Sequence, residues 1–279
     1  MGEYSVNEEM HLEAVVRQVL AHPRYQHLER GLVQALARQE LAKGRTSREA
    51  VKAVRSKLHQ VAASYLERPI DYSAWLERLH TLPRDRQHPQ VKAFCLEMMR
   101  LHTSTRERLP YLEAFYQQAL TPVGPIHSLL DLASGLNPLA IPWLPLAPDA
   151  QIVAWEIFAD MVDFLNHFFT HLEITGQAEL RDLSTTLPTQ PFQVVFLLKT
   201  LPCLEQLDKT LSRRLVESIP ADYLLVSFPT YSLGGRGKGM RVNYAQRFEQ
   251  LVADKPWTIW RFDFPTELAF LVHKGGCGG

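Results

Sequence analysis

The sequence predicts an α/β protein: a parallel, doubly wound sheet preceded by an all-helical region. Three observations carry this reading. From Val6 to about Leu101 nearly every segment has helical periodicity and none has a strand signal. After Pro110, short apolar runs alternate with helical stretches. Of the 279 residues 46% are hydrophobic, and 30 basic side chains balance 30 acidic ones, which excludes a disordered chain and a histone-like polycation.

The front half reads as five helices. Leu12, Val15, Val16, Val19 and Leu20 recur at helical spacing, as do Val51, Val54, Leu58, Val61, Ala62 and Tyr65. Thr46-Ser47-Arg48-Glu49 offers a cap for the second of these segments, with a carboxylate in its first turn. Breaks fall at His22-Pro23, Lys43-Gly44, Arg68-Pro69 and the polar run Pro83 to Pro89. A further helix spans Tyr111 to Ala119. Strand-like runs follow at Ile126–Leu132, Gln151–Trp155, Gln193–Leu198, Tyr223–Phe228, Trp257–Phe262 and Leu268–His273, with helices expected over Phe158–His171 and Glu205–Ser218. The last two strands lie close in sequence and are expected to pair antiparallel at an edge.

The balanced charge conceals a split. Residues 1–108 carry 18 basic and 13 acidic side chains, a balance of +5; the remainder carries 12 and 17, a balance of −5. A basic front joined to an acidic back predicts two units with different partners, an anionic polymer being the first candidate for the front. The expected division is a docking domain over 1–105 and a catalytic domain over 106–279. Cys95, Cys203 and Cys277 are scattered and form no Cys-x-x-Cys, so a reducing compartment is expected. The most apolar stretch, Leu129 to Pro148, holds Asp131, Asn137 and four prolines and cannot cross a bilayer as a helix. The polar, acidic start at Met1 to Tyr4 is unlike a secretory leader, so a cytoplasmic protein is expected. No His-Glu-x-x-His occurs among the 11 histidines, and no metal site is expected.

Six sites along the chain could carry chemistry. Asp131-Leu132-Ala133-Ser134-Gly135-Leu136-Asn137-Pro138 ends a strand in an acidic residue followed by small residues, which lets backbone approach a ligand. On the residues alone it is equally a strand–turn–helix corner. Glu156 ends the next strand, where a carboxylate can accept both ribose hydroxyls, or simply sit at a helix start. Asp182, in Leu180-Arg181-Asp182-Leu183, could accept from an adenine amino group or be an ordinary loop aspartate. His102-Thr103-Ser104-Thr105-Arg106-Glu107-Arg108 combines hydroxyls and arginine at a helix start, suiting a carboxylate ligand, a capping box with Ser104 or Thr103, or both. Ser227 to Met240 holds Gly234, Gly235, Gly237 and Gly239 with Arg236 and Lys238. It is no P-loop, and describes a mobile cationic loop over the sheet's active edge. Lastly, Arg45, Arg48, Lys52 and Arg55, with Lys57 beyond, recur as a stripe opposite Val51, Val54 and Leu58. That is either a phosphate-contacting footprint or a solvated face.

Together, His102 to Leu109, Asp131 to Ala140, Lys199-Thr200-Leu201-Pro202-Cys203-Leu204-Glu205 and Ser227 to Met240 resemble, in the same order, the aminoglycoside-resistance 16S rRNA (guanine-N7) methyltransferases. The resemblance implies a Rossmann-like class I methyltransferase domain with a seven-stranded, mostly parallel sheet. It implies S-adenosylmethionine as methyl donor and N7 of guanine 1405, in the assembled 30S subunit, as acceptor; the protein is expected to act as a monomer. It further implies that Ser104, Thr105 and Arg108 hold the methionine carboxylate near His102. Ala133 and Gly135 allow close approach, Glu156 binds the ribose, and Asp182 with Leu183 faces the adenine. Lys199, Arg236 and Lys238 would contact rRNA or position the guanine, and Phe228 or Tyr231 would stack on it. The family usually has Asp at Glu156, a basic residue at Tyr231 and Leu at Thr200. Guanine N7 has a free lone pair and no proton, so transfer needs positioning but no general base. Its place in the deep RNA groove implies a flipped base. Action on another RNA position or on a protein, and a silent ribosome-binding role, are the alternatives.

Overall fold

The computed structural model describes residues 6–61, 65–231 and 239–275. The five expected front helices are α1 (Val6–Leu20), α2 (Arg30–Leu41), α3 (Ser47–Val61), α4 (Tyr72–His80) and α5 (Pro89–Met99). The cap at α3 forms as the sequence indicates. The Thr46 N–H donates to the Glu49 carboxylate at 2.9 Å, and the Glu49 N–H donates to the Thr46 hydroxyl at 3.4 Å. Helices α1, α2 and α3 pack on one another through Val15, Val16, Val33, Leu36, Val54 and Leu58, all buried. Then come α6 (Thr103–Arg106) and α7 (Leu112–Leu120).

The sheet has seven strands: β1 (Ile126–Leu132), β2 (Leu146–Glu156), β3 (Gly176–Leu180), β4 (Phe192–Leu198), β5 (Ala221–Pro229), β6 (Thr258–Asp263) and β7 (Glu267–His273). Their order is β3-β2-β1-β4-β5-β7-β6. The first five run parallel; β7 is antiparallel to both β5 and β6. Strand alternation divides the core in two. On β4, Val194, Phe196 and Leu198 face the side shared with the front helices, whereas Val195 and Leu197 face the other. Helices α8 (Ala159–His171), α9 (Leu201–Leu204), α10 (Leu211–Ser218) and α11 (Met240–Val252) complete the layers. At the β6 edge, charges at Arg261 and Asp263 discourage further strand pairing.

Three elements differ from expectation. Strand β3, Gly-Gln-Ala-Glu-Leu, is a half-exposed edge strand without the apolar density that marks the others. Of the helix expected over Glu205–Ser218 only α10 (Leu211–Ser218) forms: α9 ends before it at Leu204, and between the two the Asp208 carboxylate accepts the Thr210 N–H at 2.8 Å. Helix α11 has no counterpart among the expected elements, because its apolar stripe (Ala245, Phe248, Val252) is narrow.

Among the described residues several contacts tie the front half to the sheet layers. The Glu29 N–H donates to the Ile157 carbonyl at 2.8 Å, the Ala159 N–H to the His27 carbonyl at 2.7 Å, and Gln87 Nε2 to the Pro142 carbonyl at 2.9 Å; within the front half Leu66 bridges His102. Helix α4 packs on α8, where Tyr72 meets the fully buried Phe164 at 5.2 Å. Phe164→Ala should cost about 3–5 kcal/mol of stability, measured by urea unfolding.

Candidate active site

The carboxyl ends of the strands open on a cleft with about 750 Å³ of empty space, part of it open to solvent. After β1 the backbone turns back through two left-handed residues, Ala133 (φ 50°) and Gly135 (φ 52°). Glu156, ending β2, is buried and joins this turn to its own. Its carboxylate accepts the N–H groups of Gly135 (2.8 Å), Ile157 (2.8 Å) and Phe158 (3.3 Å). Burial raises its pKa, and the three donors oppose the rise. The longer side chain of glutamate is what lets one carboxylate reach both turns.

His102 forms the facing wall. A Cβ on Gly135 would lie 2.9 Å from its ring, so only glycine fits there. The ring stacks on Tyr65 at 5.7 Å and its Nδ1 meets the Ser104 hydroxyl at 2.9 Å. Burial, with the charges of Lys199 and Arg106, pushes its pKa down to about 4, so the imidazole is neutral at pH 7. Ser104, Ala133, Asp182 and Leu183 line the same cleft, as do Leu32, Val61 and Tyr65 from the front half. Asp182 is also an ordinary turn aspartate: it accepts the Ser184 N–H (2.8 Å) and hydroxyl (2.6 Å). Asp131, at the end of β1, is buried with Oδ1 unpartnered. Its Oδ2 accepts from Asn137 at 2.8 Å, and burial raises its pKa to about 7.

Several expected ligands are instead committed to the protein. Arg108 is 1% exposed and does not line the cleft. Its Nε and Nη2 donate to Glu267 at 3.0 and 2.6 Å, and its Nη1 donates to Asn137 Oδ1 at 2.6 Å. The Thr105 hydroxyl donates to the Met99 carbonyl at 2.6 Å. Of the three groups expected to hold a carboxylate, only Ser104 faces the cleft. The capping box is absent as well: no side chain caps α6, and Glu107 instead accepts from Lys199 Nζ at 2.7 Å.

Lys199, expected at the RNA, lines the cleft with a side chain only 2% exposed. In left-handed backbone (φ 58°), its ammonium also donates to the Ser104 carbonyl at 3.2 Å and stands 3.7 Å from Glu267. It therefore braces the Ser104 segment from beneath. Phe228, expected to stack on a base, is a core residue, stacked on Tyr244 at 5.1 Å and edged by Phe248 and Phe270. Tyr231 is half exposed. Arg236 and Lys238 lie outside the described residues.

The basic stripe is only partly free. Arg48 and Lys52 are exposed. Arg45 precedes α3 and pairs with the buried Glu40, as does Lys57 at 2.9 Å. Arg55 folds back to donate to the Gln18 carbonyl at 2.6 Å. Among the described residues no group of side chains could hold a metal ion, and no helix is long and apolar enough to cross a membrane.

Sequence reasoning missed Glu267, Tyr65, Asn137 and Tyr116. The one available signal was a lone carboxylate opening the apolar run Glu267-Leu-Ala-Phe-Leu-Val. Glu267 is fully buried; burial alone would raise its pKa, but the Arg108 and Lys199 charges hold it below the usual value. It also accepts the Ser227 hydroxyl. Glu267→Ala should destabilise by about 3–5 kcal/mol in denaturant unfolding, because Arg108 is left buried without its counter-charge. Gly135→Ala should keep the circular-dichroism spectrum and lower cofactor affinity at least tenfold by calorimetry, since the Cβ displaces His102.

The model of the family described as ribosomal RNA methyltransferase (FmrO) matches residues 22–271. A 16S rRNA (guanine(1405)-N(7))-methyltransferase of Micromonospora rosea is 35% identical over 253 residues, 90% of this chain and 92% of the relative. One of the same name from Micromonospora echinospora is 34% identical, over 94% and 97%. Among solved structures, the 16S rRNA methyltransferase RmtF in complex with S-adenosyl-L-homocysteine superposes with a TM-score of 0.81 at 27% identity. That match covers 95% of this chain and 98% of RmtF. With both its sheet and its strand-end cleft accounted for over nearly its whole length, the chain belongs to the ribosomal RNA methyltransferase (FmrO) family.

Proposed function

We propose that this protein transfers the methyl group of S-adenosylmethionine to N7 of guanine 1405 of 16S rRNA in the assembled 30S subunit. It thereby confers resistance to aminoglycosides of the gentamicin and kanamycin class. The observation that carries this is the Gly135–Glu156 turn, closed against His102 in the strand-end cleft, in a chain that aligns over 90% or more of its length with enzymes bearing that name. The protein acts in the cytoplasm, as a monomer and without a metal.

The cofactor, when bound, supplies an electrophilic methyl group on sulfur. The chain supplies position. Glu156 holds the ribose hydroxyls, Asp182 and Leu183 face the adenine, and Ser104 receives the amino-acid end beside neutral His102. Arg108 and Lys199 act from behind, fixing the segment that carries Ser104. Arg236, Lys238 and Tyr231 receive the turned-out guanine, whose N7 attacks without a base. The unit 1–105 docks on rRNA through α1 to α3, and α4 and α5 brace it on the catalytic part.

Purified 30S subunits incubated with the protein and labelled cofactor should gain one methyl group, mapped to guanine 1405 by primer extension. Expression in a sensitive bacterium should give gentamicin and kanamycin resistance. A different modified position, or none, would sink the assignment. Arg236→Ala should abolish methylation while cofactor affinity stays within twofold, and unchanged turnover would remove Arg236 from the site.

A further inference from the structure

Glu40, in the last turn of α2, is fully buried, and three cations converge on it, two from the α2–α3 connection and one from α3. Lys43 Nζ lies 2.7 Å and Lys57 Nζ 2.9 Å from Oε1, and the Arg45 guanidinium is paired with Oε2. Burial would push this carboxyl up, yet the hydrogen bonds and charges of Lys43 and Lys57 pull it down to about 2, so it stays ionised throughout the physiological range. One cation suffices to neutralise one carboxylate. Three leave an excess of two positive charges over Glu40 itself, with Glu8 and Glu49 the further carboxylates beside Arg45.

That excess faces outward. The side chains of Lys43, Arg45 and Lys57 are 53%, 42% and 27% exposed. An ammonium has three N–H donors and a guanidinium five, so each keeps donors for a second anion after serving Glu40. A small depression beside the cluster is lined by Arg45, Arg38, His11 and Glu8. Exposed Arg48 and Lys52 continue the positive surface along α3. A purely structural link between α2 and α3 does not require this arrangement, because an apolar side chain of similar volume packs two helices as well or better. What the buried carboxylate adds is order. Long, flexible cationic side chains lose their rotamer freedom on folding and not on meeting a partner.

We infer that Glu40 organises Lys43, Arg45 and Lys57 into a preformed clamp for the phosphate backbone of the rRNA substrate, with Glu40 as its positioning residue. The inference rests on the docking reading of the front half.

The test is 30S binding by the full-length protein across a salt series, with cofactor affinity as a control for folding. Glu40→Gln adds one positive charge, so simple attraction would tighten binding. The clamp requires the opposite: affinity should fall at least fivefold, with a shallower salt dependence and unchanged cofactor affinity. Glu40→Leu, which preserves packing if the amide does not, should behave alike. Lys43→Ala with Arg45→Ala should flatten the slope of log affinity against log salt by about 1.5 to 2. Unchanged or tighter binding by the folded Glu40 variants overturns the clamp, as does an unchanged slope in the lysine–arginine variant. Arg48→Ala with Lys52→Ala separates the two ideas. If that pair weakens binding while the clamp variants do not, the docking reading stands and the clamp falls. If neither changes binding, both fall.

Discussion

An arginine and a glutamate 159 residues apart, Arg108 and Glu267, meet with two hydrogen bonds where water does not reach. Neither charge could be buried alone, since the desolvation of each is offset only by the other and by the groups around them. Their pairing therefore dictates where the chain between α6 and α7 must lie relative to the first residue of β7. From Glu267 the network extends to Ser227 on β5 and to Lys199 after β4. From Arg108 it extends to Asn137, Tyr116 and so to Asp131 on β1. Four strands and the segment bearing His102 and Ser104 are thus referred to a single buried charge pair.

The cleft is what this framework leaves at the ends of the strands. Its floor is backbone: the left-handed turn at Gly135, held by the Glu156 carboxylate. Its wall is the imidazole of His102, which burial keeps neutral. Polar groups that reach the interior do so as donors and acceptors already matched to one another. Among the described residues Asp131 Oδ1, Tyr72 Oη and Arg55 Nε are the exceptions. A site of this kind gains its selectivity from shape and fixed dipoles, in keeping with a reaction whose acceptor atom needs no proton removed.

What the sequence revealed and what it hid divide along physical lines. Strands β1, β4, β5 and β7 are dense apolar runs because both their faces are covered, and such runs are visible without any partner. Gly135 and Glu156 were legible because a turn and a strand end act locally. The partners of Arg108 and Lys199 were hidden, because Glu267 and Glu107 lie 159 and 92 residues away. A cation destined for a buried carboxylate looks the same in one dimension as a cation destined for a ligand. The surroundings of Phe228 were hidden for a related reason, since its ring packs on Tyr244 and Phe248 from a helix the apolar pattern barely marks. The spacing of Arg45, Arg48, Lys52 and Arg55 showed where the stems attach, but not that Arg45 and Arg55 turn their heads inward.

Tyr65 follows α3, and its ring lies flat on His102 inside the cleft. The next residue, Leu66, pairs its backbone with His102 itself. The front helices and the cofactor shelf therefore share a wall. Any tilt of the helices alters the room available to the cofactor, and a filled cleft in turn stiffens the helices. The two equilibria contain a common free-energy contribution, and such a contribution acts with equal size in both directions.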